Sequence, residues 1–203
     1  MKQIITIQHC QSEHHVTGMM GGWNDWDLTE LGREQARRLG ERLGAELAGQ
    51  SVKIFSSDLK RAVQTAAPLA ESLGLSVERR QALRERHHGA SSMGQTQQWF
   101  REHRGRDRYI DDRPLPDSET RREIYQRLLP TCQEALECQE DIVILVSHGG
   151  ALMVWNALWL GLPPESMNTC SLRSRPGAVS RFDLYENWSR RITCLGDLSY
   201  IKD

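Results

Sequence analysis

The chain has 203 residues, a formal charge of −1 at neutral pH and 38% apolar residues, proportions that suit one globular domain with room for a small insertion. Basic and acidic residues nearly cancel, which excludes a whole-chain electrostatic footprint for duplex nucleic acid or anionic lipid, and no stretch nears the roughly 18 apolar residues of a membrane span. The opening "MKQIITIQHC" has neither the long apolar core nor the small-residue cleavage site of a secretory leader, so a cytoplasmic protein is expected.

In chain order, residues 3 to 8 ("QIITIQ") predict a strand, and 52 to 57 ("VKIFSS") and 141 to 150 ("DIVILVSHGG") repeat its pattern of an apolar run ending in polar residues or glycine. Between the first two strands lies a helix capped by Thr29, with Ala36, Leu39, Leu43 and Leu47 as its apolar stripe. A second helix follows residue 57. It places Leu59, Ala62, Val63, Ala66 and Ala70 on one side, with Pro68 as a kink and Gly74 as its end.

Residues 85 to 116 are rich in His, Arg, Gly and Asp with little periodicity, and read as an excursion over the sheet that shapes a pocket. Helix returns over 117 to 139, with Ile124, Leu128, Cys132 and Leu136 in register. The chain closes with a hairpin turning near Glu186 to Ser189. The fold class expected is α/β: a three-layer sandwich with a mostly parallel central sheet, helices on both faces and a small inserted cap at about 85 to 116, all one domain.

Sites in open α/β sheets lie beyond the carboxyl ends of the strands. Three such ends carry reactive groups here: "QHCQS", "SSDLKRAVQTA" and "VSHGG". His9 and His148 would emerge on one rim. Arg61, in the first turn of its helix, and the backbone amides at "HGG" would favour an anion there, outlining a pocket for a phosphate.

The five cysteines (Cys10, Cys132, Cys138, Cys170, Cys194) are odd in number and never spaced Cys-x-x-Cys, which predicts reduced thiols. His9, His14, His15, His87 and His88 supply imidazole in quantity, but their spacing fits no standard zinc pattern, so no metal is expected. Trp23 and Trp26 read as loop anchors, and Trp155 and Trp159 as core. Trp99, His103 and the arginines from Arg101 to Arg113 read as a solvated surface.

Taken together, these segments resemble the histidine phosphatase superfamily, which includes the cofactor-dependent phosphoglycerate mutases, along essentially the whole chain. The family's opening Arg-His-Gly-Glu-Ser/Thr corresponds to Gln8, His9, Cys10, Gln11 and Ser12. "GGWNDWDLTELGREQA" is similar to its Gly-Trp-x-Asp-x-x-Leu-Ser/Thr-x-x-Gly segment, and "SSDLKRAVQTA" matches its second signature. "LRERHHG", "PDSET" and "VSHGG" follow in the family's order.

The resemblance implies that His9 attacks phosphorus, Arg61 grips phosphoryl oxygens, His148 stabilises transition-state charge and Glu85 acts as general acid and then base. It implies substrate contacts from Gln8, Gln11, Ser12, His15, Gly22, Arg84, Arg86 and Gly149, with no metal and no cofactor. Among the departures from the pattern, Gln8 replaces the first arginine, Cys10 the glycine and His15 an asparagine. His14, His15, Arg84 and Arg86 are the candidates to restore the missing charge.

The expectation is a phosphomonoester hydrolase working through a phosphohistidine. Its alternatives are a catalytically weak phospho-ligand binding protein of the same fold, a phosphoglycerate mutase and, third, a metalloenzyme. The expected partner is a phosphorylated small molecule, not nucleic acid or membrane, with a homodimer as a possible assembly.

Overall fold

In the computed structural model, which describes residues 2–186 and 189–202, six strands form one sheet. They are β1 (Lys2–Gln8), β2 (Val52–Ser56), β3 (Val77–Arg79), β4 (Ile142–Ser147), β5 (Val179–Leu184) and β6 (Arg190–Asp197), ordered β3-β2-β4-β1-β5-β6. The first four run parallel; β5 is antiparallel to β1, and β6 to β5. The closing hairpin is therefore present, while the turn predicted near Glu186 to Ser189 includes residues 187 and 188, which lie outside the described residues.

Alternation along the inner strands feeds two cores. Ile5 and Ile7 of β1 and Ile144 and Val146 of β4 meet Leu39 and Leu43 of α2 (Glu30–Leu47) and Ala62, Ala66 and Leu69 of α3 (Lys60–Leu73). On the opposite face, Ile4, Val143 and Leu145 meet Leu128 and Cys132 of α5 (Arg121–Glu137) and Trp155 and Trp159 of α6 (Gly149–Trp159). The two tryptophans are core, as expected. Two-sided burial explains why these strands read as continuous apolar runs.

Local chemistry sets the helix limits. The Thr29 side chain accepts from the Gly32 amide at the start of α2, and Gly74 adopts a left-handed conformation (φ 67°) after α3. Pro68 lies inside α3, which nevertheless continues to Leu73. Gly40 of α2 is what lets the two helices approach there, because a Cβ would stand 2.7 Å from the Pro68 backbone.

Residues 85 to 116 pass outside the sheet but are not without helix: Thr96 caps a short α4 (Gln97–His103), just before which Met19 bridges to it at Thr96. Another short helix, α1 (Glu13–Thr17), follows β1. No helix among the described residues is long and apolar enough to cross a membrane.

Candidate active site

The carboxyl ends of β1 and β4 lie side by side, with Gln8 paired to Ser147, so His9 and His148 follow at the same level of the sheet. Their ring centroids are 5.0 Å apart. His9 Nδ1 lies 2.8 Å from the Cys10 carbonyl oxygen, which fixes the proton on Nδ1 and leaves the lone pair on Nε2. Arg61 sends its Nε–H toward that lone pair at 3.3 Å.

Arg61 is itself only 1% exposed. Its two terminal nitrogens donate to the carbonyls of Asn24 and Gly22, at 2.8 Å each. These contacts come from the loop ahead of α2, which turns at Gly22 with φ 53°. Burial lowers the pKa of Arg61 to about 10.

Burial, followed by the Arg61 charge, pushes both His9 and His148 well below the usual imidazole range, so both rings are neutral at pH 7. His148 Nε2 pairs with Ser57 Oγ at 2.8 Å, at the end of β2, while its Nδ1 is buried without a partner among the described residues. Cys10 is no rival nucleophile. Its thiol packs against Leu28 and Ala36, and burial pushes its pKa up to about 12.

Opposite His9, Glu85 is held by two backbone amides: Arg86 N–H donates to Oε1 (2.8 Å) and Gly150 N–H to Oε2 (3.0 Å). A Cβ at position 150 would run into Oε1. The Glu85 carbonyl is fixed in turn by Trp23 Nε1 and Arg127 Nη2, at 2.8 and 3.0 Å. His9 and Glu85 share a cavity of about 660 Å³.

Residues 4–196 match the sequence pattern of the histidine phosphatase superfamily, branch 1. The chain belongs to this superfamily. A glucosyl-3-phosphoglycerate phosphatase of Mycolicibacterium vanbaalenii is 33% identical over 82% of this chain and 77% of its own length. A probable phosphoglycerate mutase of Salmonella arizonae is 30% identical over 99% and 95%. Among solved structures, a mycobacterial glucosyl-3-phosphoglycerate phosphatase in complex with VO3 superposes with a TM-score of 0.82 at 28% identity, covering 97% of this chain and 99% of that one. A chain described as mycobacterial hydrolase 1 gives 0.83 at 27% identity, covering 97% and 98%.

Of the residues expected at this histidine phosphatase site, Gln8, His9, His15, Gly22, Arg61, Glu85, Arg86 and Gly149 line the cavity, and His148 is buried directly behind His9. Besides His148, three do not line it. Arg84 forks onto Asp58 through two 2.7 Å bonds and stacks on Trp23, because a free carboxylate lies within its reach. Gln11 accepts from Thr29 Oγ1 at 2.7 Å, tying the first loop to α2. Ser12 is spent on α1, where its hydroxyl lies 2.6 Å from His14 Nδ1.

Restoration of charge by His14, His15, Arg84 or Arg86 does not match the geometry. Burial brings His14 down to about 3 and lowers His15 as well, so both are neutral at pH 7. Arg86 is divided between Asp107 (2.8 Å) and the carbonyls of Glu119 and Asp112.

His9, His14 and His15 do bring one ring nitrogen each within 4.8 Å of one another. The donor set argues against a cation there. His15 Nδ1 accepts from the Ser12 amide, which leaves the proton on Nε2, and a guanidinium faces the His9 lone pair. His87 is turned toward Trp23 and the Asp117 carbonyl, and His88 toward Phe100.

The sequence reading missed the segment 171–176, whose Ser171, Arg173, Ser174, Arg175 and Pro176 form part of the wall, together with Arg121. A topological signal existed. Because β5 runs antiparallel to β1, with Val179 opposite Ile7, the segment entering β5 must arrive at the rim where β1 ends.

Proposed function

We propose that this histidine phosphatase hydrolyses a phosphomonoester in two in-line displacements through phospho-His9. One observation carries the reading: the His9 Nε2 lone pair is directed by the Nδ1–H bond to Cys10 and lies beside Arg61 and the Glu85 cavity. In the first displacement Nε2 forms a bond to phosphorus while the bond to the leaving oxygen breaks, and Glu85, as the acid, gives that oxygen its proton. In the second, water attacks phosphorus, Glu85 takes its proton, and the nitrogen–phosphorus bond breaks to release phosphate and neutral His9.

Arg61 supplies the positive partner for the equatorial oxygens, and the unpartnered Nδ1 of the neutral His148 ring a hydrogen-bond donor. In this reading residues 85 to 116 act as the cap that selects the substrate, contributing Glu85, Arg86, His88, Gln97 and Asp107 to the wall. Phosphoglycerate esters are the first substrates to assay, on the strength of the two relatives whose names contain them. A cytoplasmic location and a homodimer belong to the same reading, to be read by fractionation and by light scattering.

Acid-quench labelling with a phosphorylated substrate tests it. Wild type should give an acid-labile, base-stable phosphoprotein, and His9→Ala none. An active His9→Ala, or an unlabelled wild type, would refute it. Isomerisation of a phosphoglycerate faster than its hydrolysis would favour the mutase reading.

A further inference from the structure

Five arginines line the cavity wall, and three of them are engaged. Arg61 donates to two carbonyls, Arg86 to Asp107 and two more, and Arg121 to the carbonyls of Met167, Asp107 and Tyr109. Arg173 and Arg175 make no side-chain hydrogen bond or ion pair among the described residues. A guanidinium without a counter-charge on a cavity wall is a binding group for an anion.

A second observation places that anion. Gln8, only 6% exposed, faces the same cavity, and its Oε1 has no partner. The Ser174 hydroxyl, between the two arginines in sequence, is likewise buried and unpartnered. The Gly177 amide donates to the carbonyls of both Gln8 and His9, at 3.0 and 3.2 Å. Arg175 is two residues from Gly177, at most about 7.6 Å of chain. Pro176, fixed in φ, biases Arg175 to extended backbone. The loop thus anchors the Arg175 backbone within two residues of a contact to the Gln8 and His9 carbonyls, while its exposed side chain forms part of the cavity wall.

We propose that Arg175 supplies the second guanidinium of the phosphate clamp, reaching the phosphoryl oxygens across Gln8, whose amide binds alongside it. The charge absent from position 8 enters from the loop ahead of β5. Amide rotation lets Gln8 offer Nε2–H to the same oxygens. The proposal rests on the phosphatase reading for the identity of the anion, and its test is kept separate from turnover.

The test is isothermal titration of inorganic phosphate into wild type, Arg173→Ala, Arg175→Ala, Arg175→Lys and the double variant Gln8→Arg/Arg175→Ala, with p-nitrophenyl phosphate hydrolysis measured in parallel. Arg175→Ala should weaken phosphate binding at least about tenfold and lower kcat/KM about 10²–10³-fold. Arg175→Lys, keeping the charge without the fork, should fall between. Gln8→Arg should restore most of both losses. Unchanged phosphate affinity in Arg175→Ala, a loss confined to Arg173→Ala, or a loss that Gln8→Arg leaves in place would overturn the assignment. An inert wild type that still binds phosphate through Arg175 refutes hydrolysis and keeps the clamp, whereas an active wild type indifferent to Arg175→Ala does the reverse. A wild type that binds no phosphate removes the clamp, and one that is also inert removes both.

Discussion

Lowering the pH from 7 to 5 should remove at least about 2 kcal/mol from the stability of the ligand-free protein. His9, His14 and His148 are 3%, 8% and 0% exposed. Burial is the leading cause that holds His14 down to about 3 and the other two well below 6.5, with Arg61 adding repulsion in all three and His15 in His14 and His9. The unfolded chain protonates these rings at about 6.5 and so binds more protons than the native state below that pH. Their share of the stability is fully present above 6.5 and drains away as the pH falls toward the native values. His14, held at about 3, loses about 2 kcal/mol between pH 7 and 5, and His9 and His148 lose stability in the same direction, a sizeable part of a typical domain's 5–15 kcal/mol. The lowered carboxylates, Asp58 beside Arg84 among them, act only below about pH 4, so this window belongs to the histidines. Urea denaturation followed by circular dichroism at pH 7, 6 and 5 measures the effect, and His14→Gln should reduce it by about 2 kcal/mol. A change under about 1 kcal/mol across the window would refute the assignment of three buried neutral imidazoles.

Glu85→Gln keeps the size of the side chain but cannot move a proton. It should lower hydrolysis of alkyl phosphates by about 10²–10⁴ and formation of the phosphoenzyme from p-nitrophenyl phosphate much less, since nitrophenolate leaves unprotonated; equal losses would deny the acid role. Gly150→Ala favours helix locally yet drives a methyl group into Glu85 Oε1, so kcat should fall at least about tenfold in a protein whose circular dichroism is unchanged. Gly32→Ala would place a methyl group on the Gln11 carbonyl oxygen, backbone against backbone, and should destabilise by about 1–3 kcal/mol in chemical denaturation without an equal loss of kcat.

What could be read from the residues alone was whatever a strand or helix fixes by its own period. β1, β2 and β4 announce themselves as apolar runs, and their polar ends carry His9 and His148 to one rim whatever the loops do. The second helix shows the limit of that logic: Val63, placed on its buried stripe, is half-buried, while Leu69 is fully buried against α2 because Gly40 brings the two helices so close. α4 has too few apolar residues to show a period, and only Thr96 marks its start. Side chains whose destination is set by a distant partner were illegible. Nothing in "LRERHHG" shows that Arg84 will turn to Asp58 while Arg86 faces the cavity, and nothing in "SLRSRPG" shows its arginines beside His9 until the direction of β5 is known.

The acid sensitivity and the chemistry have one origin. Desolvation that keeps His9 neutral leaves its Nε2 lone pair unprotonated, as the proposed nucleophile requires, and the same desolvation leaves Arg61 in a pocket whose imidazoles resist a second positive charge. Glu85 and Asp25 raise the Arg61 pKa only in part against burial. A phosphoryl dianion entering this space offsets the guanidinium charge and removes the repulsion that holds the imidazoles neutral, so it raises their affinity for protons. By linkage, protons on these rings must then raise the affinity for the phosphoryl dianion, so at a fixed dianion concentration the ligand should protect the fold more below pH 6.5 than above it.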